Sequence, residues 1–105
     1  MKLEQEIMSI IASSGASKNK AFEALKKVKE KDFNGARELI KESREIDLEA
    51  HKIQTKLIAA EFSDNPEEKP ELSLLMVHAQ DHYMTCQLAR ELAEVLIDVF
   101  ESKGE

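Results

Sequence analysis

Apolar residues recur in steps of three and four along three long stretches, and each stretch predicts a helix. In the first, about residues 3–30, the step is kept by Leu3, Ile7, Ile10/Ile11, Ala21/Phe22, Leu25 and Val28. Ser13-Ser14-Gly15-Ala16-Ser17 interrupts it with small residues. Glycine inside a helix costs about 1 kcal/mol relative to alanine. The patch therefore predicts a kink, a close approach by another helix, or a small-walled recess beside a site. Lys29-Glu30-Lys31-Asp32 reads as a polar turn, with Asp32 a candidate N-cap for the second helix. That helix, about 33–62, runs Phe33, Ala36, Leu39/Ile40, Ser43, Ile46, Ala50, Ile53, Leu57 and Ala60. At 1.5 Å per residue it is about 45 Å long. His51 and Gln54 lie three apart near its middle, and His51 reads as a solvated or locally bonded side chain. Residues 63–70, with both prolines, are the expected loop. A third helix over about 71–101 precedes a fraying tail.

The third helix carries two apolar stripes. One contains Leu72, Leu75/Met76, Ala79, Tyr83, Cys86, Ala93, Leu96/Ile97 and Phe100. The other runs Leu74, His78, Asp81, Thr85, Leu88, Leu92, Val95 and Val99 in alternating steps of four and three, the spacing of a heptad seam. Helices one and two can cover one stripe. The second predicts contact with other copies of helix three, and so a homo-oligomer. The expected fold is all-α: one domain over 1–105, built of three long antiparallel helices.

Composition narrows the function classes. Only 5% of the 105 residues are aromatic and 34% are charged, which suits an aliphatic bundle with solvated outer faces. A net charge of -6 argues against nucleic acid, whose phosphates demand clustered Lys and Arg. No apolar run approaches the roughly 20 residues of a membrane span, so no direct membrane insertion is expected. The acidic start, Met1-Lys2-Leu3-Glu4-Gln5-Glu6, does not read as a signal peptide. The single cysteine, Cys86, fits a reducing compartment. The expected location is the cytoplasm.

The seam is apolar from Leu88 onward but polar at His78, Asp81 and Thr85. In a symmetric oligomer each chain would bring one Asp81 toward the axis. Unit charges about 5 Å apart at an effective dielectric near 20 repel by roughly 3 kcal/mol per pair. Several such pairs offset much of a stability of roughly 5–15 kcal/mol. The cluster is therefore expected to protonate or to bind a cation, and oxygen-only ligands favour a hard ion such as Mg²⁺.

His78 and His82 admit three readings. As an i, i+4 pair they could bind Zn²⁺, but the intervening Ala79-Gln80-Asp81 lacks the HExxH glutamate and no third ligand lies nearby. They could be satisfied core histidines that fix register. Or one could be a nucleophile toward phosphorus, with one ring nitrogen held by a hydrogen bond and the other carrying the free lone pair. His82 and Gln80 could then orient an attached phosphoryl group. Spacing leaves the three readings open, and a helical adaptor finds no excess apolar stripe on helix one or two to support it.

Val77-His78-Ala79-Gln80-Asp81-His82-Tyr83-Met84-Thr85 resembles the active-site motif of the lactose/cellobiose-type enzyme IIA of the bacterial phosphoenolpyruvate-dependent sugar phosphotransferase system. The segments 10–15, Lys31-Asp32-Phe33, Glu49-Ala50-His51 and 54–58 match in the same order, so the resemblance covers nearly the whole chain. It implies a homotrimeric helical bundle with the third helices around the axis. It also implies a phosphotransferase component in which His78 forms a phosphohistidine, receiving the group from the phosphocarrier protein HPr. The group then passes to a cysteine of enzyme IIB and so to sugar entering through enzyme IIC. By the resemblance Asp81 is the metal ligand, one Mg²⁺ per trimer being shared by three subunits, while Gln80 and His82 line the phosphohistidine pocket. Lys18 departs from an arginine expected in relatives and loses the planar fork of a guanidinium. Ala79 and the flanking motifs lean toward cellobiose- or chitobiose-type members. The competing expectation is a non-catalytic helical homo-oligomer with a structural metal site.

Overall fold

Three antiparallel helices form a rod of 57 × 19 × 19 Å. The computed structural model describes residues 3–103. Helix α1 spans Glu4–Lys29, α2 spans Phe33–Glu61 and α3 spans Leu74–Ser102; all three expected helices are present and no strand occurs among the described residues. The last two residues of the expected tail, Gly104 and Glu105, lie outside the described residues.

The helix ends follow local chemistry. Lys31, at φ 61°, ends α1: its N–H donates to the Val28 carbonyl and that of Asp32 to the Lys27 carbonyl. This is a Schellman motif with lysine where glycine is usual. Asp32 caps α2 as expected, accepting from the Gly35 N–H at 2.9 Å. A side chain at 35 would collide with the capping carboxylate, so the close approach requires glycine. Helix α3 starts three residues later than its apolar pattern predicts, because Ser73 takes the N-cap position and accepts from the Met76 N–H at 3.1 Å. The loop also holds a 3₁₀ turn at Pro66–Glu68, capped by Asn65.

Helix α1 packs against both partners, whereas α2 and α3 touch each other less. It runs through Gly15 without a break, and nothing crowds that residue. The small patch instead serves a close helix contact at Ser17. There Ser17 and Ser43 are fully buried, and each hydroxyl donates to the other's carbonyl, at 2.7 and 2.8 Å. This polar layer separates two apolar clusters. One contains Leu3, Ile7, Ile10, Ala50, Leu57, Met76, Ala79 and Tyr83; the other contains Ala21, Ala24, Ala36, Ile40, Ala93 and Ile97. Phe22, expected on the core stripe, is half-exposed, and Ala24 occupies the buried position.

Of the two stripes on α3, the first supplies Met76, Ala79, Tyr83, Cys86, Ala93 and Ile97 to the core. Leu72, Leu96 and Phe100 were expected there but are exposed, Leu72 because it precedes the helix. The second stripe is uncovered throughout: Leu74, His78, Asp81, Thr85, Leu88, Leu92, Val95 and Val99 are all exposed in the single chain.

Candidate functional site

His78, Asp81 and His82 share one side of α3 near its N-terminus, as their spacing requires. His78 is exposed, and its ring meets that of His82 edge-on, with centroids 4.5 Å apart and planes at 83°. The His82 ring is partly buried, and its Nδ1 is enclosed without a hydrogen-bond partner among the described residues. The expected hydrogen bond to a His78 ring nitrogen is not made within the described residues; the edge of His82 is its aromatic neighbour instead. Asp81 is exposed and its carboxylate joins no ion pair among the described residues. Thr85 turns back onto the helix, its hydroxyl donating to the Asp81 carbonyl at 2.8 Å.

Gln80 lies on a different face. Its Nε2 donates to Gln54 Oε1 and its Oε1 accepts from Gln54 Nε2, both at 2.7 Å. One turn along, Tyr83 Oη is hydrogen-bonded to His51 Nδ1 at 2.9 Å. His51 is exposed, as the solvated reading expects, but its bond is not local: the partner lies 32 residues away, across the α2–α3 contact. Burial is the first cause, and the nearby Asp47 carboxylate the second, that raises the Tyr83 phenol above its ordinary range and keeps it protonated. Of the apolar residues around His78, Met76 and Tyr83 are core, while Leu75 and Met84 remain exposed.

No group of three or more His, Cys, Asp and Glu gathers in one chain among the described residues. One chain offers Asp81 as a single free carboxylate on the uncovered seam. A hard ion could be held there only where several copies converge, which matches an oxygen donor set on an axis.

Asp47 and Arg90 did not stand out in the sequence. Asp47 is 4% exposed and its carboxylate lies 3.2 Å from the guanidinium of Arg90, which also reaches the Ser17 hydroxyl at 3.3 Å. The signal was available. Asp47 stands four after Ser43 and three before Ala50 on the buried stripe of α2, and Arg90 stands four after Cys86 and three before Ala93 on that of α3. Farther from the histidines, Arg44 pairs with Glu94, and Arg37 with Asp98 and Glu101.

The family model described as "PTS system, Lactose/Cellobiose specific IIA subunit" matches residues 5–101. The chain is 45% identical over 100 residues to the N,N'-diacetylchitobiose-specific EIIA component of Escherichia coli strain K12, covering 95% of this chain and 84% of that one. Its fold is similar to the crystal structure of the cellobiose-specific enzyme IIA from Bacillus anthracis, with a TM-score of 0.88, 37% identity, and 96% and 90% of the two chains covered. It is also similar to the IIA(chitobiose) component solved in complex with HPr from the Escherichia coli phosphotransferase system. There the TM-score is 0.81 and the identity 42%, over 100% of this chain and 99% of that one.

Proposed function

The chain belongs to the lactose/cellobiose-specific IIA subunits of the phosphotransferase system, and on that premise we propose that it is the histidine phosphocarrier of a sugar-uptake branch. In this reading His78 accepts a phosphoryl group from phospho-HPr and hands it to a cysteine of a cognate enzyme IIB, which feeds sugar entering through enzyme IIC. The observation that carries it is the contact between the His78 and His82 rings, one turn into α3, on a face that the other helices of the same chain leave open.

A neutral imidazole nitrogen of His78 attacks phosphorus in line; the N–P bond forms as the donor's bond to phosphorus breaks. In the second transfer a thiolate forms the S–P bond and the N–P bond breaks, returning the imidazole. Little covalent chemistry is asked of the protein, so its work is positioning and electrostatics. His82 holds the His78 ring from one edge. Gln80, which the resemblance puts in the phosphohistidine pocket, is bonded to Gln54 from another face of α3 within the single chain. The phosphoryl group brings about -1.5 to -2 charges, so it must be kept clear of the Asp81 carboxylate or shielded from it. In a homotrimer with the third helices around the axis, three copies of Asp81 would meet and would hold one Mg²⁺. The ion supplies neutralisation of the clustered carboxylates when bound.

The HPr complex of a relative supports HPr as the donor. Similarity to chitobiose- and cellobiose-type relatives supports a β-linked disaccharide branch. No described helix is long and apolar enough to cross a membrane. Incubation with phosphoenolpyruvate, enzyme I and HPr tests the relay. The expected result is acid-labile, base-stable label on His78 that vanishes in His78→Ala; label elsewhere, or none, rejects the relay through His78, and no label at all favours the non-catalytic oligomer.

A further inference from the structure

The α2–α3 contact is a polar ladder in antiparallel register. Its rungs are Gln54–Gln80, His51–Tyr83, Asp47–Arg90, Arg44–Glu94 and Arg37 with Asp98 and Glu101. Apolar contact with α1 decides which face of α3 turns inward, but being non-directional it leaves the finer rotation about the axis more loosely set. Hydrogen bonds prefer narrow angles and do fix it. Only the first two rungs lie at the level of the histidines. Gln80 and Tyr83 flank Asp81 and His82 in sequence, and a helix is stiff over one turn, so holding two of these residues aims the others.

We propose that Gln54 and His51 are positioning residues for His78, acting through Gln80 and Tyr83 to set the rotation of α3 that presents the imidazole to its phosphoryl donor. This rests on the relay reading above. The reciprocal amide pair suits the task because each glutamine both donates and accepts, so two hydrogen bonds rather than one tie the side chains together. The Tyr83–His51 bond adds a second fixed point three residues on, and two points on one helix face define a turn about its axis. Neither Gln54 nor His51 touches the His78 ring, so their loss removes no reacting group.

The test combines Gln54→Met, which keeps length without hydrogen bonds, with His51→Phe, which keeps ring volume. The double variant is compared with wild type in phosphoryl transfer from phospho-HPr, in thermal melting, and in the ¹H–¹⁵N resonances of the His78 ring. The expected result is a kcat lower by about ten-fold with KM changed by less than about two-fold, and shifted His78 resonances, at near-native helix content. Unchanged kcat and unchanged His78 resonances would overturn the proposal, as would a loss of rate that merely tracks loss of helix. Should the double variant not fold, Tyr83→Phe removes one oxygen and leaves the ring packed; it must shift the His78 resonances or the proposal falls. If wild type itself takes no label, the relay reading fails, while the ring resonances still decide whether α2 aims His78.

Discussion

Asp47 and Arg90 form the most buried ion pair among the described residues. Their side chains are 6% and 12% exposed, and removing one partner leaves the other buried without its ion-pair partner. Arg90→Met is expected to cost about 3–5 kcal/mol, measured by urea denaturation, against a stability of roughly 5–15 kcal/mol. Adding Asp47→Leu to it should recover most of that loss, because the stranded charge disappears. Close by, burial raises the Cys86 thiol, as it does the Tyr83 phenol. A raised value in the folded chain means that the unfolded chain ionises first as pH climbs. Stability should therefore be complete below the ordinary thiol range and decline through it, then further through the ordinary phenol range. Urea midpoints across alkaline pH check this, and Cys86→Ala should remove the first part of the decline. The histidine face was legible because i, i+3 and i+4 spacing alone places it. The Asp47–Arg90 pair was not, because its partners are 43 residues apart and a third of the chain is charged, so many pairings were open.

The helices themselves were the most readable feature, since apolar periodicity measures the face each one buries. Their ends were less so at α3, where periodicity continues upstream through Leu72 although the backbone turns only after Ser73. Nor could periodicity decide between a kink and a close contact at the small-residue patch; that depended on Ser43, in another helix. The end of α1 is the place where local conformation opposes the side chain. Lys31 holds a left-handed backbone that costs a residue with a Cβ roughly 1–2 kcal/mol. Lys31→Gly should stabilise the chain by about 1 kcal/mol once the entropy that glycine loses on folding has been subtracted. A melting temperature higher by about 4–8 °C would register that gain.

At the scale of the whole molecule, one side of the rod closes a core and the opposite side leaves a heptad seam bare. The sequence showed both stripes, but a stripe does not state what will cover it. In the proposed homotrimer, Asp81→Leu removes the carboxylates that repel on the axis and extends the apolar part of the seam toward His78. The trimer should persist or become firmer, as read by sedimentation with and without chelator. Dissociation of the variant would mean that the ion does more than offset repulsion.

Leu88, Leu92 and Val95 each leave more than half of their surface to water in the lone chain. Association that covers them draws the folding equilibrium along with it by mass action. The midpoint of unfolding should then climb with protein concentration, and a sparsely expressed copy would be the first to be lost to proteases. For such a chain, abundance is itself a stabilising force.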